Sequence, residues 1–119
     1  MTRSLPTPED LEHFENLIYL PMLITILSLD RERLSGVKLV NPYHNLIDRA
    51  LKEIQKDLQK THEYARKRNM KLVSGKVEGI FKEYIFLYKG FEDPRRYLNV
   101  RLRNRAEELI ELYFAKVML

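Results

Sequence analysis

The sequence has no cysteine, four glycines and three histidines in 119 residues. Without cysteine there is no disulfide, no thiolate metal ligand and no cysteine nucleophile. Such a chain suits a reducing cytoplasm, which is the expected location. The few glycines form no phosphate loop: "SGKVEG" at 74–79 lacks the G-x-x-x-x-G-K-[ST] spacing and the helix that should follow it. Among the histidines, His44 stands four residues before Asp48, a spacing that can chelate a metal on a helix. A site needs more than two ligands, and no third is evident. No serine lies in a nucleophile-elbow pattern, and Glu107 and Glu108, adjacent on a helix, point apart and make no acid/base dyad. No catalytic residue, metal or cofactor is predicted, and no enzyme is expected.

Long hydrophobic runs are also missing. The longest is "LIYLPMLITILSL", 13 residues at 17–29, interrupted by Pro21, Thr25 and Ser28. A bilayer span needs about 20 apolar residues, so no membrane partner is expected. The N-terminus carries Glu9 and Asp10 where a signal peptide would lead from a positive region into an apolar one, so no leader is expected either.

What is present describes one globular domain over 1–119, with 45% hydrophobic and 32% charged residues. The net charge of +4 is uneven. Residues 1–60 hold 8 Lys and Arg against 9 Asp and Glu, whereas 61–119 hold 13 against 8. The basic character belongs to the second half, which points to nucleic acid or an acidic protein as a possible partner.

A first helix is predicted over 8–34. Thr7 can cap it, Pro8 fits its first position, and Glu9 and Asp10 suit its positive end. Pro21 should kink or break it. Residues 17–29 are apolar on nearly every face, so Leu17, Leu20, Leu23, Ile24 and Leu27 are expected to form the core or an oligomer interface, with Ile24 buried. After a connector with a short extended piece at 37–40, a second helix is predicted over 42–69, capped by Asn41. Ile47, Ala50, Leu51, Ile54, Leu58, Thr61 and Ala65 form its apolar stripe, and it should pair antiparallel with the first helix.

Residues 70–103 fit either strands or helices. Phe81, Ile85 and Leu87 alternate with Lys82, Tyr84, Phe86 and Tyr88, and β-branched and aromatic residues favour strands. Gly75, Gly79 and Gly90 punctuate the stretch as turns would. A three-stranded antiparallel meander is predicted at 70–76, 80–89 and 95–103, then a helix at 104–118. Starting that helix at Asn104 makes Asn104 and Glu107 a capping box and keeps Arg95 and Arg96 out of a first turn. The fold class is α+β, in the order ααβββα; the alternative is an all-α bundle.

Two readings of function follow. The first is a small non-enzymatic protein-interaction module, homo-oligomeric as a dimer or higher through the apolar first helix. The second is a nucleic-acid-binding accessory protein. Five arginines (Arg95, Arg96, Arg101, Arg103 and Arg105) fall within eleven residues with no acid among them. Lys82, Tyr84, Tyr88 and Tyr97 would lie beside them if the strands are in register. Rings that stack bases next to cations that hold phosphates describe a single-strand platform. The structural alternative is that the arginines pair with the acids of the first helix, Glu9, Asp10, Glu12 and Glu15.

Overall fold

A computed structural model of the chain describes residues 5–119. Helix α1 is Pro8–Arg33, followed by a 3-10 turn at Leu34–Gly36; helix α2 is Asn41–Lys67. Strands β1 (Met70–Glu78), β2 (Phe81–Tyr88) and β3 (Phe91–Leu98) form one antiparallel sheet in the order β1-β2-β3, and helix α3 is Asn99–Met118. The ααβββα order of an α+β fold is the one read from the sequence.

Thr7 caps α1 as expected: its hydroxyl accepts from the Asp10 amide at 3.1 Å, and the Asp10 carboxylate accepts from the Thr7 amide at 2.9 Å. The helix does not break at Pro21 but runs through it, and Thr25 Oγ1 donates to the Pro21 carbonyl at 3.2 Å. At α2 the expected cap is displaced. Val40 is the N-cap and bonds no side chain, so Asn41 is already helical, and no strand forms at 37–40. Asn69 follows the end of α2 with a positive φ of 54°, the left-handed conformation that ends helices and that Asn tolerates.

The hairpins turn tightly. Lys89 and Gly90 join β2 to β3 with φ of 48° and 84°, as a type I′ turn requires of both central residues. Gly79 opens the β1–β2 turn with φ of 59°. β1 is irregular between Ser74 and Val77, where an added Cβ on Gly75 would meet Glu83 at 2.8 Å, so a glycine there lets the Glu83 side chain lie against the strand.

The largest departure from the sequence reading is at β3. It was expected at 95–103, but it occupies Phe91–Leu98, and α3 begins at Asn99 rather than Asn104. Leu102 and Ala106, 6% and 1% exposed, are spaced for a helix, while Val100, which strand alternation would place with Leu102, is 48% exposed. No side chain caps α3; instead the Asn99 amide donates to the Ile80 carbonyl at 2.8 Å, so the neighbouring turn takes one of the free N–H groups.

There are two cores. Phe14 and Ile18 of α1, Phe86 and Tyr88 of β2, and Leu102 form one, where the sheet covers the first half of α1. Leu20, Leu23 and Leu27, with Ile54 of α2 and Ala106 and Val117 of α3, form the other, among the helices alone. The molecule is long and flat, 63 × 33 × 17 Å. Its radius of gyration is 16.5 Å, against about 13.5 Å for a compact chain of this length. No described helix is long and apolar enough to cross a membrane.

Candidate interaction site

Side chains directly opposite in the sheet share a face, so the register sorts the whole meander from one anchor. Phe86 stacks on Phe14 of α1, centroids 4.4 Å apart, which makes its face the inner one. Lys82, Tyr84 and Tyr88 lie with Phe86 on that face of β2, and Tyr97, Arg95, Asp93 and Phe91 of β3 lie opposite Lys82, Tyr84, Phe86 and Tyr88 in turn. Tyr88 is 4% exposed, and Tyr84 and Tyr97 pack against the core edge-on to each other at 5.7 Å. The rings expected on an open platform therefore face the helices and are not free to stack bases.

The five arginines do not share one surface. Arg95 turns inward, pairs with Asp93 at 2.9 Å and covers the Phe86 ring at 4.6 Å. Arg96 turns outward over Phe81 at 4.2 Å. Arg101, Arg103 and Arg105 are exposed on α3 rather than on a strand, and Arg105 pairs with Glu108 at 3.0 Å. Among the described residues none of the five forms an ion pair with the acids of α1. Of those acids, Asp10 is taken by Arg68, the residue that ends α2. Arg68 donates to both carboxylate oxygens at 3.0 and 2.8 Å, Tyr64 adds a bond at 2.6 Å, and Arg68 also donates to the Tyr88 hydroxyl at 3.2 Å. The Arg68 guanidinium holds the Asp10 carboxyl well below the usual carboxylate range, against the opposing effect of burial.

Glu15 meets the sheet instead: the Tyr97 hydroxyl donates to its Oε1 at 3.2 Å, and its Oε2 is buried with no partner among the described residues. Burial first, and Glu15 second, push the Tyr97 hydroxyl far above its ordinary value. Tyr19 is raised by burial and by Glu15, with Arg105 and Arg101 offsetting part of the rise. His44 and Asp48, the candidate chelating pair, both serve Arg31. His44 Nε2 donates to its carbonyl at 2.8 Å, and Asp48 accepts from its guanidinium at 2.6 and 3.1 Å. No group of three or more metal-ligating side chains occurs among the described residues.

The apolar run of α1 resolves by position. Leu20, Leu23 and Leu27 are 2% exposed or less and belong to the core; Leu17 and Ile24 are half-buried, so Ile24 is less enclosed than expected. The outward positions are Pro21, Thr25, Ser28 and Leu29, two of them hydroxylic, which is how a small chain carries so apolar a helix.

The surface that remains is the outer face of the sheet. Val73, Ile85 and Pro94 form one row across the three strands, and Phe81 and Leu98 are opposite each other in another. Leu87 lies between Lys71 at the β1 edge and Glu92 at the β3 edge, and Glu83 is opposite Arg96. None of the six apolar residues belongs to either core or packs against one. The period-2 alternation in the sequence contained this signal, since Phe81, Ile85 and Leu87 were set apart there as one face. What it could not show is which face the helices cover.

A protein-family model described as YhjD protein matches residues 5–118. A Bacillus subtilis (strain 168) protein, described as uncharacterized protein YhjD, is 37% identical over 101 residues, covering 83% of this chain and 84% of that one. No solved structure matches the chain.

Proposed function

The chain belongs to the YhjD protein family, and from the geometry above we propose that it is a self-associating, non-enzymatic interaction module whose second copy docks on the outer face of the sheet. The observation that carries this reading is the row of apolar side chains on three adjacent strands that joins neither core. An antiparallel sheet with one face in water ordinarily turns polar residues outward. Here Val73, Ile85, Leu87, Phe81, Leu98 and Pro94 point that way, with charges at the edges.

The order of those charges supports a copy of the same chain as the occupant. A two-fold contact must be self-complementary. An axis parallel to the strands and passing over β2 stacks Ile85 on Ile85 and Leu87 on Leu87. It lays the β1 edge of each copy over the β3 edge of the other, so each Lys71 meets a Glu92. The area is also available. The accessible surface is 8496 Å², against about 6,800 Å² for a compact monomer of 14.3 kDa. That surplus exceeds the roughly 800 Å² that a standard interface takes from each partner. The first helix contributes less to such a contact than its composition suggests, since Leu20, Leu23 and Leu27 lie inside the protomer.

Sedimentation equilibrium tests the reading. The wild type should have twice its 14.3 kDa mass. Lys71→Glu should shift it to monomer, and Lys71→Glu with Glu92→Lys should restore the dimer by exchanging the charges. A monomeric wild type, or a Lys71→Glu variant that dimerises unchanged, removes the outer face as the self-association surface.

The exposure of Arg101, Arg103 and Arg105 on α3 favours a second reading, in which the module also holds an acidic partner such as a nucleic-acid backbone. Without the tyrosines this would be contact to phosphates and not to bases.

A further inference from the structure

Where the second half of α1, the start of α2 and the second half of α3 meet, they leave an apolar groove of about 380 Å³, within the roughly 300–1,000 Å³ typical of ligand sites. Its walls are Leu27, Leu34, Leu46, Ile47, Ile110 and Phe114. α3 packs on both other helices through its apolar residues, but its polar contacts go to α2. The Tyr113 hydroxyl donates to Asp57 at 2.6 Å and Lys116 pairs with Glu53 at 3.1 Å. Among the described residues no hydrogen bond or ion pair joins α3 to α1. Ile110 and Phe114 are half-buried and line the groove with Leu27 of α1.

The lip of the groove is polar, made by Asp30, Arg33 and Tyr43. Arg33 makes a long ion pair with Asp30, 3.9 Å and beyond hydrogen-bonding distance, and its side chain is 75% exposed, which leaves its N–H groups able to meet a further acceptor. Tyr43 sits in the first turn of α2, which holds no acid and no side-chain cap, so the field at that lip favours an anion. Asp30 is the one group there that opposes one.

The geometry points to a binding site for a small amphipathic carboxylic acid, its hydrocarbon body between Ile110, Phe114 and Leu46 and its carboxylate at Arg33. This site is separate from the outer face of the sheet and does not depend on self-association.

The test uses the full chain and sodium decanoate, followed by calorimetry and by amide chemical shifts. Saturable one-to-one binding is expected, with shifts centred on Tyr43, Leu46 and Ile110. Arg33→Gln should weaken decanoate about tenfold, the scale of one charge-assisted contact, and leave decanol unaffected. Decyltrimethylammonium should bind more weakly than decanoate. Ile110→Trp should fill the groove and abolish binding. If that variant fails to fold by circular dichroism, Leu46→Phe serves the same purpose. Absence of saturable binding, equal binding of the cationic amphiphile, shifts elsewhere, or indifference to Arg33→Gln would each overturn the assignment.

Discussion

Asp10 and Arg68, 58 positions apart in the chain, join the first turn of α1 to the residue that ends α2 through two hydrogen bonds of 3.0 and 2.8 Å. The carboxylate is fully buried while the guanidinium side chain is 36% exposed. A buried charge is tolerated only while it is paired, so losing one partner is worse than losing both. Arg68→Met should destabilise the protein more than Arg31→Met, which breaks the exposed pair with Asp48. Adding Asp10→Asn to Arg68→Met should recover part of the loss. Urea melts rank the three variants against the wild type.

The same pair sets a pH dependence. The folded Asp10 carboxyl titrates below its unfolded value, chiefly because of Arg68. Its contribution is fully present above the unfolded pKa of about 3.9 and is lost as pH falls below it toward the depressed folded value. The stability gap between wild type and Asp10→Asn should be constant from about pH 5 to 8 and should narrow below about 4. A gap that widens on acidification would contradict the assignment.

Phe86 is the contact through which the sheet grips α1, 1% exposed and stacked on Phe14 with 6° between the ring planes. Phe86→Ala should cost about 3–5 kcal/mol. A double-mutant cycle with Phe14→Ala should give a coupling of roughly 0.5–1.5 kcal/mol beyond the area lost. Chemical denaturation measures both.

The two candidate caps should separate cleanly. Thr7→Ala removes a capping box whose bonds are 2.9 and 3.1 Å and should cost about 0.5–2 kcal/mol. Asn104→Ala changes an exposed residue inside α3 and should stay within about 0.5 kcal/mol. A larger effect at Asn104 would place a helix start there.

If the α3 arginines serve an acidic partner, Arg101→Gln with Arg103→Gln should leave the melting temperature nearly unchanged. It should weaken binding to DNA or RNA at low salt and flatten the dependence on log salt by up to about one unit per lost phosphate contact. No detectable affinity of the wild type for either nucleic acid at low salt would end that reading.

The element order, the paired helices and the strand character of 70–98 were legible because periodicity reports burial directly. The boundary at Asn99 was not. The reading weighed arginines in a first turn as a penalty, but exposed charges near a helix end are worth only ~0.3–1 kcal/mol each. Burying Leu102 and Ala106 outweighs that, and the Ile80 carbonyl replaces a cap. The orientation of the candidate site was hidden for a related reason. Tyr84 and Tyr88 were read as sharing a face, with Tyr97 beside them if the strands were in register, yet alternation cannot say which face of a two-sided apolar sheet meets the helices. That is decided by Phe14, some 70 residues earlier in the chain.

The meander also bears on how quickly the chain can fold. Each strand pairs with its neighbour in sequence, through two turns of two residues, and α1 pairs with α2 across one short connector. Most native contacts therefore close short loops, which lose little entropy before they are rewarded. Among the exceptions are the Asp10–Arg68 and Phe14–Phe86 contacts, which bring the first helix back to the middle of the chain. The rate-limiting step should then be the arrival of α1 on a sheet and a helix already formed, so substitutions at Phe14 should slow folding rather than speed unfolding.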